Sequence, residues 1–361
     1  MLDRLIELAL QIQQIPAPTF GEAQRADFIL KRLQAEGLSD VSQDALGNVC
    51  ARLPGRGNGR PLIAVAHMDT VFPSGTRLDV RREAGRIHGP GLGDNSLGVA
   101  ALFGLAWLLR ERGIELDGDL WLCADVAEEG LGDLRGMRAV VDRFGRSVLG
   151  YLIIEGLALG HVYHQAVGVR RYRIAARTAG GHSWSDYGQP SAVHELARLV
   201  TQLTGLHVPA QPRTTLNVGV ISGGTTVNTL AAEASCELDL RSEEARALAA
   251  LAAEAERMIA AANRPGVSIE ARVTSQRPTG QVPADHRLIR LAMDCLAGRG
   301  MEGILTSGST DANIPFSLGI PSVVLGVTTG GGAHSLREFI DVAPVRTGME
   351  QLVCFVSRAW G

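Results

Sequence analysis

The chain has 361 residues, 45% of them hydrophobic, with 43 glycines and a net charge of −3 from 35 cationic and 38 anionic residues. That length exceeds what one core usually serves, so two domains are expected, and the composition fits a globular α/β protein rather than a disordered chain. No block of like charge points to nucleic acid or an anionic membrane, and no run of about 18 uncharged apolar residues offers a transmembrane span.

Residues 1 to 15 and about 20 to 36 read as helices. The first interrupts its apolar residues with Asp3, Arg4 and Glu7, which is unlike the apolar stretch of a signal peptide. GNVCARLPG, GRGNGR and PLIAVAH then read as strand, turn and buried strand. GDNSLGVAALFGLAWLLRERG predicts a helix of about 17 residues with Asp94 at the N-cap position. DLWLCADV and YLIIEG are strands separated by the helix LRGMRAVVDRFG. Strands alternating with helices predict a mostly parallel sheet covered on both faces.

From about residue 168 the pattern changes to βαββαβ: VGVRRYRIAART, PSAVHELARLVTQLTG, TTLNVGVIS, AEASCELDLRS, EEARALAALAAEAERMIAAAN and GVSIEARVTS. After about residue 280 helix and strand alternate again, in RLIRLAMDCLAGRG, IPSVVLGV and a final helix from 344. The expected organisation is an α/β domain in two segments, 1–167 and 279–361, with an inserted α+β lid or association domain at 168–278.

Two features exclude cofactor classes. Lys31 is the only lysine and lies in a helical stretch, which argues against a Walker phosphate loop and Schiff-base chemistry. GPGLGD has Asp94 where a dinucleotide fingerprint needs glycine. The five cysteines are scattered without a CxxC and fit a reducing, cytoplasmic location.

The residues with chemistry cluster at expected strand ends. In AHMDT, His67 and Asp69 are two apart and would share a strand face; a metal ligand and a structural histidine both fit. Asp94 reads as a helix cap, and the same tight turn could aim one carboxylate oxygen at each of two ions. Glu128 and Glu129 follow DLWLCADV at the end where parallel sheets collect active sites. Adjacent carboxylates repel unless a cation lies beside them, and they project differently, so one can bind metal while the other reaches a water. Glu155 ends YLIIEG, as a ligand or a solvent-facing carboxylate, and His334 follows a glycine-rich loop that allows close approach. Two histidines with three carboxylates suit zinc, with cobalt or manganese as substitutes. With one hydroxide, three carboxylates balance two divalent ions, and ions roughly 3.5 to 4 Å apart would lower the pKa of a shared water.

In order and wording, HMDT, GDNSLG, AEEG, IEG and GGAHS resemble the co-catalytic zinc family of glutamate carboxypeptidase, bacterial tripeptidase, acetylornithine deacetylase, succinyl-diaminopimelate desuccinylase and aminoacylase. The similarity spans the whole chain, including the inserted lid. It implies that His67, Asp94 and Glu155 hold one zinc, and His334, Asp94 and Glu129 the other. Asp94 would bridge and precede a cis peptide, Asp69 would orient His67, and Glu128 would be the general base. In the lid, His182 would stabilise an oxyanion, often across a dimer, while Asn228 and Arg241 would bind substrate. From their own sequence these three also read as a loop histidine, a turn residue and a surface ion-pair residue. Ser309 and Asp311 of GSTDANI fall in a substrate-side loop of the family, where Asp311 also reads as a helix cap.

The resemblance implies metal-dependent amide hydrolysis by a homodimer. The expected substrate is a short peptide, cut by a carboxypeptidase or a di- or tripeptidase. An N-acyl amino acid cut by a deacylase is the alternative, because a glutamate at the Glu155 position is commoner among carboxypeptidases and deacylases. A non-catalytic binding protein on the same fold would show a lost base or ligand, and each such position is filled.

Overall fold

The computed structural model describes residues 1–361 and divides into two compact units, Met1–Ala166 with Gly280–Gly361, and Val167–Thr279.

The first unit is built on a nine-stranded mixed sheet. Its centre is parallel: Gly118–Asp125, Gly59–His67, Gly150–Glu155 and Ser322–Gly326 lie side by side in that order. Antiparallel pairings occur on both flanks, with Val49–Leu53 on one and His161–Ala166 on the other. The central strands are short apolar runs because helices bury them; Leu62, Ile63, Ala64, Val65 and Ala66 are all fully buried. Since these four strands run the same way, their C-terminal ends open on one edge.

Helices cover the sheet in two groups. Leu97–Glu111 packs with Leu2–Gln13 and Pro344–Arg358, while Arg135–Phe144 packs with Asn313–Ser317. Leu97–Glu111 is apolar all round, and thirteen of its fifteen residues are buried. A helix without a polar face needs protein on every side. Together with the turn before it, this helix is long and apolar enough to cross a membrane, yet 94% of that window is buried within the protein, as in a core helix.

The second unit is a four-stranded antiparallel sheet in the order Thr214–Gly223, Glu233–Ser242, Gly168–Arg177, Ser268–Arg277. Alternate residues of Glu233–Ser242 are buried and meet the helices Ala192–Thr204 and Ala245–Ala261. Cross-strand ion pairs join its partly exposed residues, including Arg171 with Asp239 and Arg173 with Glu237. Thr214–Gly223 is an edge strand, and its Val220 and Ile221 are 58% and 57% exposed.

Candidate metal centre

His67 ends its strand beside Asp125 and is buried. The strand stops there, so Asp69 approaches His67 through a turn, not by sharing a strand face. Nδ1 of His67 lies 3.2 Å from the Asp69 carbonyl and 3.5 Å from its carboxylate. The Asp69 carboxylate, fully buried, accepts hydrogen bonds from the backbone N–H groups of Glu128 and Glu129, each at 3.0 Å, and from the Thr19 hydroxyl at 2.8 Å. One carboxylate therefore fixes both the histidine and the turn that carries the adjacent glutamates.

Asp94 does not cap a helix. The helix begins at Leu97, and Asp94 has an extended-type backbone with φ −120° and ψ 85°, followed by a cis peptide to Asn95. Its carboxylate is divided between two rings: Oδ1 is 3.2 Å from His67 Nε2, and Oδ2 is 3.0 Å from His334 Nε2. Glu155 Oε2 lies 3.8 Å from His67 Nε2, and Glu129 Oε1 lies 3.1 Å from His334 Nε2. Donor atoms of His67, Asp94 and Glu155 fall within 4.8 Å of one another, as do those of Asp94, Glu129 and His334. His67, Glu128 and Glu129 form a third such group.

The local sequence explains this convergence. Asn95 donates to the Ile154 carbonyl at 2.8 Å and accepts from Gly156 N–H at 2.9 Å, tying the Asp94 turn to the end of the Glu155 strand. Gly156 is required because a Cβ there would sit 1.9 Å from the Gly93 carbonyl oxygen. His334 adopts a left-handed φ of 62°, unusual for a residue with a side chain, in a hairpin whose strands are Gly330–Gly331 and Phe339–Asp341.

The protonation of the cluster follows from its charges. Burial disfavours a charged His67 ring, but hydrogen bonds to Asp69, Asp94 and Glu155 outweigh it and hold its pKa well above the usual value. His334 is raised to about 10 by Asp94 and Glu129. Burial would raise Asp94, yet the two histidines hold it below the ordinary carboxylate range. Glu155 goes up, through burial and the neighbouring charges of Asp94 and Glu129 that His67 only partly offsets. Such a crowd of carboxylates and imidazoles fits divalent cations, which would take the place of the imidazole protons.

Three contributors escaped the sequence reading. Fully buried Glu338 accepts N–H bonds from Gly91, Gly93 and Asp94 at 2.8, 2.7 and 2.9 Å. It thereby clamps the bridging turn from the hairpin that carries His334. Burial chiefly, against those N–H bonds and with the charge of Asp94, places its pKa at about 7. The signal was the fourth residue beyond His334, visible only once the hairpin is known. Glu338→Ala should weaken metal affinity about 10–100-fold, measured by chelator competition, since partners that orient ligands have effects of that size.

Buried Arg25 donates to the Ile15 carbonyl at 2.6 Å and the Met68 carbonyl at 2.7 Å, bracing the turn beyond His67. Asp125 and Asp311 are both fully buried, and the short helix Asn313–Ser317 has Ala312 at its N-cap with no side-chain cap bond, so Asp311 does not cap it. Burial raises Asp125 to about 8 and, with the charges of Asp125 and Glu128, holds Asp311 well above the carboxylate range. Because the folded pKa of Asp125 lies above its unfolded value, the native state binds the extra proton between about pH 4 and 8, and stability falls as pH rises through that window. One such proton gives a slope of about 1.4 kcal/mol per pH unit. Asp125→Asn should remove that slope from urea midpoints measured between pH 5 and 8 at constant metal content.

His182, Asn228 and Arg241 belong to the second unit. Exposed His182 uses Nδ1 to accept the Trp184 N–H at 3.1 Å, which leaves the proton on Nε2 as a donor. Asn228 is its neighbour, accepting the Ser183 N–H at 3.0 Å through its backbone carbonyl. Arg241 is not with them: it lies near the far end of Glu233–Ser242 and pairs with Asp239 at 2.7 Å. Eight residues of strand from Glu233 amount to about 26 Å.

Two histidines and two glutamates around the Asp94 carboxylate, at the open edge of a mixed α/β sheet, form a donor set able to hold metal ions. Residues 63–358 match the profile of peptidase family M20/M25/M40, and the chain belongs to that family. A peptidase M20 domain-containing protein of Schizosaccharomyces pombe is 29% identical over 67% of this chain and 61% of its own length, so this chain spans under two thirds of that relative. YqjE of Bacillus subtilis is 26% identical over 99% of this chain and 98% of its own. Among solved structures, a Staphylococcus aureus tripeptidase aligns with a TM-score of 0.84 and 21% identity over 99% of this chain and 98% of that one. Aminopeptidase PepT of Bacillus cereus aligns with a TM-score of 0.80 and 22% identity over 99% of each.

Proposed function

We propose that this chain is a cytoplasmic dinuclear zinc exopeptidase that hydrolyses short peptides. The observation that carries the reading is the Asp94 carboxylate, with one oxygen against His67 and the other against His334. His67, Asp94 and Glu155 would hold one ion, His334, Asp94 and Glu129 the second, and Asp69 would orient His67. Zinc bound there would polarise the scissile carbonyl and acidify the attacking water. Cobalt or manganese suits the same ligands.

Glu128 is buried, and its backbone is held by Asp69 beside the ligand set. In the proposed reaction a water oxygen attacks the carbonyl carbon while Glu128 takes its proton. The C–N bond then breaks as Glu128 delivers that proton to the leaving amine. His182, with its proton on Nε2, would donate to the developing oxyanion, and Asn228 and Arg241 would bind substrate polar groups. The separation of Arg241 from His182 within one chain supports a homodimer through the second unit, in which a site draws these residues from different copies. The exposed Val220 and Ile221 on the edge strand support the same reading. The double variant Val220→Glu/Ile221→Glu should elute as a monomer by light-scattering chromatography, with activity reduced at least about tenfold.

Zinc-loaded protein assayed against di- and tripeptides, N-acyl amino acids and end-blocked peptides tests the activity. Cleavage of unblocked short peptides is expected. Turnover of N-acyl amino acids alone would instead make the chain a deacylase, and binding without turnover would overturn an enzymatic role.

A further inference from the structure

Cys295 and Cys354 lie on two packed helices, Arg287–Ala297 and Pro344–Arg358, that carry none of the residues discussed for the metal centre. Both are free thiols, and their sulfur atoms are 2.7 Å apart, with Cys295 donating to Cys354. Cys295 is fully buried, whereas Cys354 is partly exposed. Two guanidiniums gather here. Arg358 Nη1 is 3.9 Å from the Cys354 sulfur, and Arg299 donates to the Cys295 carbonyl at 2.7 Å and to the Glu350 carbonyl one turn before Cys354. Cations beside a sulfur favour its thiolate. Burial opposes this at Cys354, but Cys295, Arg299 and Arg358 outweigh it and hold the thiol below its ordinary value. Cys295 is pushed up to about 12 by burial and by its neighbour.

We propose that Cys354 and Cys295 form a reversible oxidation site at which a hydroperoxide converts the thiol pair into a disulfide joining the two helices. The Cys354 thiolate attacks the terminal O–H oxygen of the hydroperoxide; an S–O bond forms, the O–O bond breaks, and alkoxide (hydroxide from hydrogen peroxide) leaves. Cys354 is now a sulfenic acid, oxidised by two electrons, and the peroxide is reduced. The Cys295 thiol gives up its proton as its sulfur attacks Cys354. The S–S bond forms, the S–O bond breaks, and the departing hydroxide takes that proton as water. A dithiol reductant reverses the bridge.

A second thiol pair in the same unit provides an internal comparison. Cys50 and Cys123 face each other across neighbouring strands, but both are buried within the sheet. Burial raises Cys123 well above the ordinary thiol value, so this pair should resist peroxide.

The test treats metal-loaded, full-length protein with limiting hydrogen peroxide and maps peptides without reduction. A Cys295–Cys354 bridge should be the main product, reversed by dithiothreitol and accompanied by a rise of several degrees in Tm. Cys354→Ser, a change at a partly exposed position, should abolish the bridge and slow peroxide consumption at least tenfold. Cys295→Ser should leave a Cys354 sulfenic acid that dimedone traps. Oxidation of Cys50, Cys123 or Cys236 as fast as Cys354, or consumption of peroxide with residues 295 and 354 left unbridged, overturns the proposal.

Discussion

Glu128→Gln is expected to lower kcat by about 10²–10⁴-fold while metal content stays at the wild-type level, the range associated with loss of a general acid–base group. The side chains are nearly the same size, and Asp69 grips the Glu128 backbone rather than its carboxylate. The substitution should therefore leave the turn in place and remove only the capacity to carry a proton. Glu129→Gln, one residue away, should act differently: Glu129 faces His334 at 3.1 Å, so metal should be lost along with turnover. The measurement is kcat beside metal stoichiometry for each purified variant. Unchanged kcat in Glu128→Gln would move the proton carrier elsewhere.

Asp94→Asn is expected to abolish detectable activity and reduce bound metal from about two ions per chain to about one or fewer. An amide keeps the shape of the carboxylate but offers one oxygen and one N–H donor group. It can face His67 or His334 in the manner of Asp94, not both, and it removes a negative charge shared by both positions. Elemental analysis and titration with zinc would follow the loss. A variant that retained both ions would show that the two halves of the cluster are held independently.

How much of this was legible in the sequence differs from one element to another. The central strands announced themselves because parallel strands buried on both faces are continuous apolar runs, as PLIAVAH and YLIIEG are. His161–Ala166 and Ile304–Gly308 did not, since their residues are largely half-buried or exposed and carry neither a run nor a clean alternation. The inserted unit was readable from its own alternation, which the burial of Glu233–Ser242 repeats residue by residue. Side chains at strand ends were legible as candidates because chemistry collects there. Glu338, Arg25 and Asp125 were not, because each acts through main-chain groups or through a neighbour supplied by a distant segment. Asp94 shows the opposite error: its place ahead of a helix fits a cap, but its backbone is non-helical and its carboxylate lies against two imidazoles.

The Asp69 carboxylate, which holds His67, Thr19 and the backbone of both adjacent glutamates, also bears on how such a site can diversify. Position 69 has no room for piecemeal change, since any replacement would disturb His67, the backbone of Glu128 and Glu129, and the loop around Thr19 together. His334 is 58% exposed and rides on a hairpin, so exposed hairpin positions other than His334 and Glu338 can change without disturbing the contacts of Asp69. Selection for a different metal or substrate should therefore accumulate substitutions from the hairpin side of the cluster and leave the Asp69 side fixed.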